Sequence, residues 1–457
     1  MTDLTPKRAP SKKATKSPAA RRAAAKRQPR RAEIAASAEL PEPGRPAALR
    51  NISEVRHFFR TNDAPIYFVG ATPFNLLGLD RWVRRFSYIT YYDAWDGAHP
   101  HVFTPAVKPY VGFRSSEEIN NWLLANPEVQ AHIAGTTAPG VRPKVAMVCF
   151  DEQTEQICAD LGYDLILPPA RLRRDLPGKL ATAGLGGDLP ADGPADHRRF
   201  AVEAVLTRKG TVVGPLMSDL TGRPELTPYP DGWCGNEMYP DVLGGELRVQ
   251  ATQLVRRVGE WLGSEGYRGF FELDVLVDDD RGEVYLGQLN PRISGATAIT
   301  HVTAGAYADV PLFLFHLLEF MEVDFDLDVE EINRRWDELA SVDEWSQMLI
   351  KETAPTLERI DLAAPTGQYR LDADGTLVFR HAALDWHQLQ NESEAFFLRI
   401  YGAGDYRWNG ADLGVLVTKG RLQAGTGERP DALSPRASHL VSSIRSYYSG
   451  TPVAPAS

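Results

Sequence analysis

Residues 266–299 constrain this chain most. They open Gly-Tyr-Arg-Gly-Phe-Phe-Glu-Leu-Asp-Val-Leu-Val, continue Asp-Asp-Asp-Arg-Gly, and then run Glu-Val-Tyr-Leu-Gly-Gln-Leu-Asn-Pro-Arg-Ile-Ser-Gly. Two β-rich runs flank a polar turn ending at Gly282, the pattern of a hairpin with a long loop. Strand side chains alternate faces, so Glu272 and Asp274 share one face while Phe271, Leu273 and Val275 take the other. Strict alternation in the second run puts Gln288 and Asn290 on one face with Val284 and Leu286. Where the polar faces coincide, Asp274, Gln288 and Asn290 cluster and offer the oxygen donors that Mg2+ prefers. Arg292 follows two residues on, placed to grip a phosphate or carboxylate bidentately. Unpaired polar groups inside apolar strands are costly, which singles out Asp274 and Asn290 as functional. Asp278, Asp279 and Asp280 fit a solvated turn.

A chain of 457 residues has room for two or three domains and a large core. Its three cysteines, Cys149, Cys158 and Cys234, are scattered without metal-binding spacing, so a reducing, cytoplasmic setting is expected. No apolar run reaches membrane-spanning length, and no hydrophobic signal core opens the chain. Charge is uneven. Residues 1–50 carry thirteen Lys/Arg against four Asp/Glu, a net of +9, leaving −19 for the remainder. Residues 6–31 mix Lys, Arg, Ala, Pro and Ser without apolar period, so a disordered basic tail is expected over 1–50. Such a tail suits nucleic acid or an acidic partner as well as plain solvent.

From about residue 60 to 170, short apolar runs alternate with helical patterns: strands at 66–70, 86–92, 144–150 and 164–167, and helices at 73–84, 115–134 and 151–161. That alternation predicts a parallel, Rossmann-like α/β domain. Gly70-Ala-Thr-Pro is not a dinucleotide fingerprint. Residues 201–206 and 211–216 form a second hairpin around Lys209-Gly210, and 222–240 read as an ordered surface loop. Leu247, Ala251, Leu254, Val258 and Trp261 stripe a helix over 246–263. Residues 307–321 read as a buried helix and 329–339 as an amphipathic one. After 342, short evenly spaced strands predict a small β-rich domain to about 430, followed by a flexible tail over 431–457. His301 and His316 sit among apolar helical residues and read as core histidines.

The 266–295 hairpin, ending Gln-Leu-Asn-Pro-Arg-Ile-Ser-Gly, resembles the metal-binding hairpin of the ATP-grasp ligases. Residues 202–215, Val-Glu-Ala-Val-Leu-Thr-Arg-Lys-Gly-Thr-Val-Val-Gly-Pro, are similar to the antiparallel hairpin of the same domain. The resemblance covers roughly residues 60–425. It implies an α/β chain, α+β in its ATP-grasp part. A Rossmann-like pre-ATP-grasp domain (60–170) precedes an ATP-grasp domain (171–341), with a β-rich C-terminal domain (342–430) of the biotin-carboxylase-like branch. It implies ATP and Mg2+ or Mn2+ as cofactors, and a carboxylate activated as acylphosphate for attack by an amine, both small molecules. By position it implies Asp274, Gln288 and Asn290 as metal ligands, Arg292 at the phosphates or the reacting carboxylate, and Lys179 and Glu203 at the nucleotide. Three departures qualify it. Gln288 stands where the family carries a charged glutamate. Only nineteen residues, 180–198, separate Lys179 from Arg199, too few for the family's lid subdomain. Residues 346–355 put apolar side chains where biotin carboxylases carry a catalytic arginine, and no biotin-acceptor motif occurs, which argues against biotin carboxylation. The alternative to an active ligase is a catalytically degenerate scaffold that binds a partner through its basic tail.

Overall fold

The computed structural model describes residues 48–109, 112–185, 198–342, 344–424 and 432–453. The expected basic tail lies outside them up to residue 47, as do 186–197 of the shortened segment. The described chain begins with α1 (Ile52–Thr61), β1 (Ile66–Gly70), β2 (Phe86–Thr90), β3 (Val102–Phe103), α2 (Ser116–Ala125), α3 (Pro127–Thr136), β4 (Lys144–Ala146), α4 (Glu152–Leu161) and β5 (Asp164–Leu165). The five strands pair in parallel in the order β3-β2-β1-β4-β5, the α/β arrangement expected. Two helices differ from expectation. Residues 73–84 form two single 3-10 turns, because Gly78 between them takes φ 91° and stops propagation. The helix expected over 115–134 is two. Pro127 cannot continue α2, and the Asn126 side chain caps α3 by accepting from the Glu128 and Val129 amides.

Helix α5 (Ala170–Thr182) leads into β6 (Arg198–Thr207), β7 (Gly210–Thr221), β8 (Trp233–Met238), α6 (Gly245–Ser264), β9 (Gly269–Asp278) and β10 (Glu283–Asn290). Four helices follow: α7 (Thr297–Thr300), α8 (Ala304–Ala308), α9 (Leu312–Phe320) and α10 (Val329–Leu339). The chain then runs through β11 (Trp345–Lys351), β12 (Leu357–Leu362), β13 (Gly367–Leu371), β14 (Leu377–His381), β15 (Glu394–Arg399), β16 (Tyr406–Trp408), β17 (Asp412–Lys419), α11 (Pro435–Ser446) and β18 (Ser449–Pro452). The helix expected over 307–321 begins only at Leu312, after Pro311.

Ten of these strands form one antiparallel sheet in the order β10-β9-β6-β7-β8-β11-β17-β15-β13-β14, and β16-β12-β18 form a small third sheet. Residues 222–240, expected as a surface loop, contain β8, which pairs with β7 on one side and β11 on the other. Strand β8 therefore fuses the expected ATP-grasp and C-terminal β-rich regions into a single sheet. Its Cys-Gly-Asn-Glu sequence hides this, since Asn236 and Glu237 find partners in Asp219, Gln347 and Gln423, far away in sequence. The expected flexible tail, 431–457, holds α11 instead. Ser434 caps it, Pro435 sits at its first position, and Ala437, Leu440, Val441 and Ile444 are buried at helical spacing.

The large sheet has two unlike faces. On one, Phe271, Leu273, Val275, Val202 and Ala204 pack against Leu254, Val255 and Val258 of α6. On the other, Ala201, Val205, Met217 and Phe270 join Leu312–Leu318 of α9 and the first domain's Phe68 and Phe86. The candidate site lies on the second face.

Candidate active site

The hairpin register places the site. Leu286 pairs with Val275, then the register shifts, and Gln288 pairs with Asp274 and Asn290 with Glu272. Gly287 is the extra residue of a β-bulge. It turns Gln288 and Asn290 onto the face of Glu272 and Asp274, leaving Val284 and Leu286 on the α6 face. This corrects the strict alternation expected from sequence, which put all four second-run residues on one face. A Cβ at Gly287 would sit 3.0 Å from the Asp274 carbonyl oxygen, so a small residue suits the close approach.

Asp274, Gln288, Asn290 and Arg292 are thereby brought together. Asn290 donates to Glu272 Oε2 at 3.0 Å, and Arg292 Nη2 donates to Asn290 Oδ1 at 3.3 Å. Burial pushes the Glu272 carboxyl well up, and neighbouring Asp274 adds to that, while Arg292 opposes it. Burial also raises Asp274, against Arg199 and Arg292.

Glu203 pairs with Glu272 across β6 and β9 and is fully buried. Its carboxylate accepts from Ser294 Oγ (2.7 Å), from Thr297 Oγ1 and from Thr300 Oγ1 (2.8 Å). Burial pushes its pKa up to about 7 against those three hydroxyls. Its contacts make Glu203 the anchor of the segment carrying Arg292. Gln347 of β11 and Asn75 grip the same segment, donating to the Gly295 and Ser294 carbonyls at 2.7 and 2.6 Å.

Sequence reasoning missed Glu272 as a site group, and with it Asp219, Arg199, Asn236 and Gln347. Asp219 accepts from Asn236 Nδ2, and Gln347 Nε2 donates to Asn236 Oδ1 at 3.1 Å. Burial and nearby Asp274 push Asp219 up to about 8, opposed by Arg199 and Asn236. Only the β7-β8-β11 pairing aligns this row, and no local pattern signals it. Glu272 alone had a legible signal, its two-residue spacing from Asp274. Lys179 is not brought to this face. It lies on α5, 55% exposed, with its Nζ 2.6 Å from Glu265 at the end of α6. His301 and His316 are buried, and burial lowers them to about 3 and about 4, as core histidines require.

Among the described residues, no three His, Cys, Asp or Glu side chains converge to hold a metal ion. A cation here would draw on one or two carboxylates plus amide oxygens, with its remaining positions left to water and phosphate. That donor set suits Mg2+. The fit is also electrostatic, because the Asp274 charge raises both Glu272 and Asp219, and Arg292 or Arg199 opposes each rise.

No family model and no curated protein matches the sequence. Solved structures do. The chain is similar to a multifunctional pyruvate carboxylase from Rhizobium etli, at 14% identity and TM-score 0.45, covering 78% of this chain and 31% of that one. It is similar to a single-chain, multi-domain long-chain acyl-CoA carboxylase, at 13% identity and TM-score 0.46, covering 78% and 35%. A third is N5-carboxyaminoimidazole synthase from Aspergillus clavatus in complex with ADP and 5-aminoimidazole ribonucleotide, at 12% identity and TM-score 0.43, covering 78% and 94%. All three are ATP-grasp ligases. The chain spans 31% and 35% of the two carboxylases. Among the described residues no helix is long and apolar enough to cross a membrane.

Proposed function

We propose that this chain is an ATP-dependent ligase of the ATP-grasp type, which activates a small carboxylate as an acylphosphate for attack by an amine. The observation that carries this reading is the bulge at Gly287, which sets Gln288 and Asn290 beside Asp274 and Glu272 with Arg292 at their end. Asp274, Gln288 and Asn290 would hold the divalent cation. When bound, the cation neutralises phosphate charge and aligns the transferring group.

This chain's own residues do the rest by positioning. Arg292 offers a planar fork to a phosphate or carboxylate, and its place is fixed because Glu203 and Gln347 pin the segment that follows it. The attacking carboxylate oxygen bonds to the γ-phosphorus as the bond to ADP breaks. The amine then bonds to the acyl carbon and gives up a proton, and phosphate leaves with the mixed-anhydride oxygen and takes that proton up. Burial around Glu272 and Glu203 strengthens each charge contact by excluding water.

A second reading, a catalytically degenerate scaffold, is favoured by one observation. Asn290 Oδ1 already accepts from Arg292 and lies 3.4 Å from Gln288 Nε2, so a metal must displace protein donors. Calorimetric titration with ATP and Mg2+ separates the readings. A ligase shows saturable, Mg2+-dependent binding that Asp274→Asn abolishes. Absence of binding at millimolar nucleotide rejects it. A nucleic-acid or acidic partner for residues 1–50 belongs to the second reading, and deleting residues 1–45 tests it by loss of that binding with folding intact.

A further inference from the structure

Beyond β7's pairing with β8, which covers Ser218–Thr221, the strand has no strand neighbour on that side among the described residues. The side chain of Asn333 on α10 takes the place of a neighbouring strand there. It accepts from the Val213 amide and donates to the Thr211 carbonyl, both at 2.9 Å. Just past these bonds, Gly214 and Pro215 form an irregularity opposite Glu203, where the β6-β7 register shifts. Proline has no N–H to offer, so this stretch of edge stays uncovered.

Helices α6 and α10 flank that edge. They are bridged by ion pairs at two points: Arg248 Nη2 meets Asp337 at 2.5 Å, and Arg256 Nη1 meets Glu330 at 2.7 Å. Arg248, Thr252 and Arg256 are four residues apart on one stripe of α6, and Glu330, Asn333 and Asp337 form the facing stripe of α10. Between the stripes lies a cavity of about 530 Å3. Val213, Pro215 and Leu216 form its floor with Trp336, and Val249, 46% exposed, forms its lip. That volume lies within the range of small-molecule sites, and an apolar floor with a few polar groups at the rim is their usual lining.

Guanidinium donors at the rim select the ligand. Arg248 and Arg256 line the cavity beside their partners Asp337 and Glu330, while Arg334 is held by Glu331 and Glu338. The bonds of Arg256 to Glu330 use only its Nη1, and those of Arg248 to Asp337 use its Nε and Nη2, so each guanidinium keeps donors for another acceptor. We propose that this slot is a binding site for a small, flat, apolar monoanion, an aromatic carboxylate, whose ring lies on the Pro215–Trp336 floor and whose carboxylate meets Arg256 or Arg248. The site is separate from the carboxylate face and does not depend on the ligase reading.

Calorimetry with 2-naphthoate on the full chain tests this, with 2-naphthalenemethanol as the neutral counterpart. The expected result is saturable one-site binding of 2-naphthoate, at least tenfold tighter than the alcohol. Arg256→Gln weakens it about tenfold, and Ala340→Trp, which fills the slot from its rim, abolishes it. Thr252→Trp fills the slot from the opposite helix and serves where Ala340→Trp lowers the melting temperature. Non-saturable binding overturns the proposal, as does equal affinity for the alcohol. So does 2-naphthoate binding that survives in the folded filled-slot variant.

Discussion

Glu203→Gln separates the cost of burying a charge from the value of the bonds made to it. Glu203 is fully buried, and its pKa is raised from 4.5 to about 7 by that burial. A folded-state pKa above the unfolded one means the folded chain holds a proton that the unfolded chain has released. The stabilising contribution is therefore fully present below pH 4.5 and is lost as pH rises through about 7. The gap is worth about 3 kcal/mol as an order of magnitude. Glutamine has the same shape and never ionises. Its amide accepts fewer of the three hydroxyls, costing about 1 kcal/mol at any pH, because Ser294, Thr297 and Thr300 can turn to accept instead. Urea unfolding of wild type and Glu203→Gln at pH 4.5, 6 and 8 is the assay. The variant should be less stable by about 1 kcal/mol at pH 4.5 and more stable by about 2 kcal/mol at pH 8. A stability difference that stays flat across that range would show that Glu203 ionises normally, and the argument from burial would fail.

Gln288→Glu places a carboxylate opposite Asp274 and should tighten Mg2+ binding about tenfold, with like-charge repulsion lowering stability when metal is absent; calorimetry with and without Mg2+ reads both. Lys179→Ala should leave ATP affinity within about twofold, since Nζ is engaged by Glu265, and it should cost at most about 1 kcal/mol of stability because the pair is half exposed. A large loss of ATP affinity would instead place Lys179 at the nucleotide. Gly295→Ala puts a Cβ 2.5 Å from the Trp233 ring and should destabilise by about 1–3 kcal/mol with a shift in tryptophan fluorescence. Gly222→Ala should do at least as much damage, because φ is 62° there and the new Cβ would lie 1.8 Å from the Pro230 carbonyl oxygen; a melting curve like wild type's would contradict that turn geometry.

Sequence by itself determined the elements whose signal is local. Two-residue alternation in Phe-Phe-Glu-Leu-Asp fixed which side of β9 carries Glu272 and Asp274, and the turn at 278–282 fixed the hairpin. The four-residue stripe of α6 and the alternation of short strands and helices before residue 170 gave the α/β class for the same reason: burial against one neighbour leaves a period in the chain. Tertiary structure decided what depends on pairing between distant segments. The bulge at Gly287 reversed the faces of Gln288 and Asn290, since one inserted residue flips every side chain after it. Strand β8 looked like a loop because Asn236 and Gly235 pair with β7 and β11, and the Asn236–Asp219 and Asn236–Gln347 bonds span 17 and 111 residues. Asp219 entered the site by that route, while Lys179 lies on α5 beside Glu265. The hairpin thus carries its chemistry in its sequence, whereas the company that chemistry keeps is set by sheet register, which no local pattern encodes.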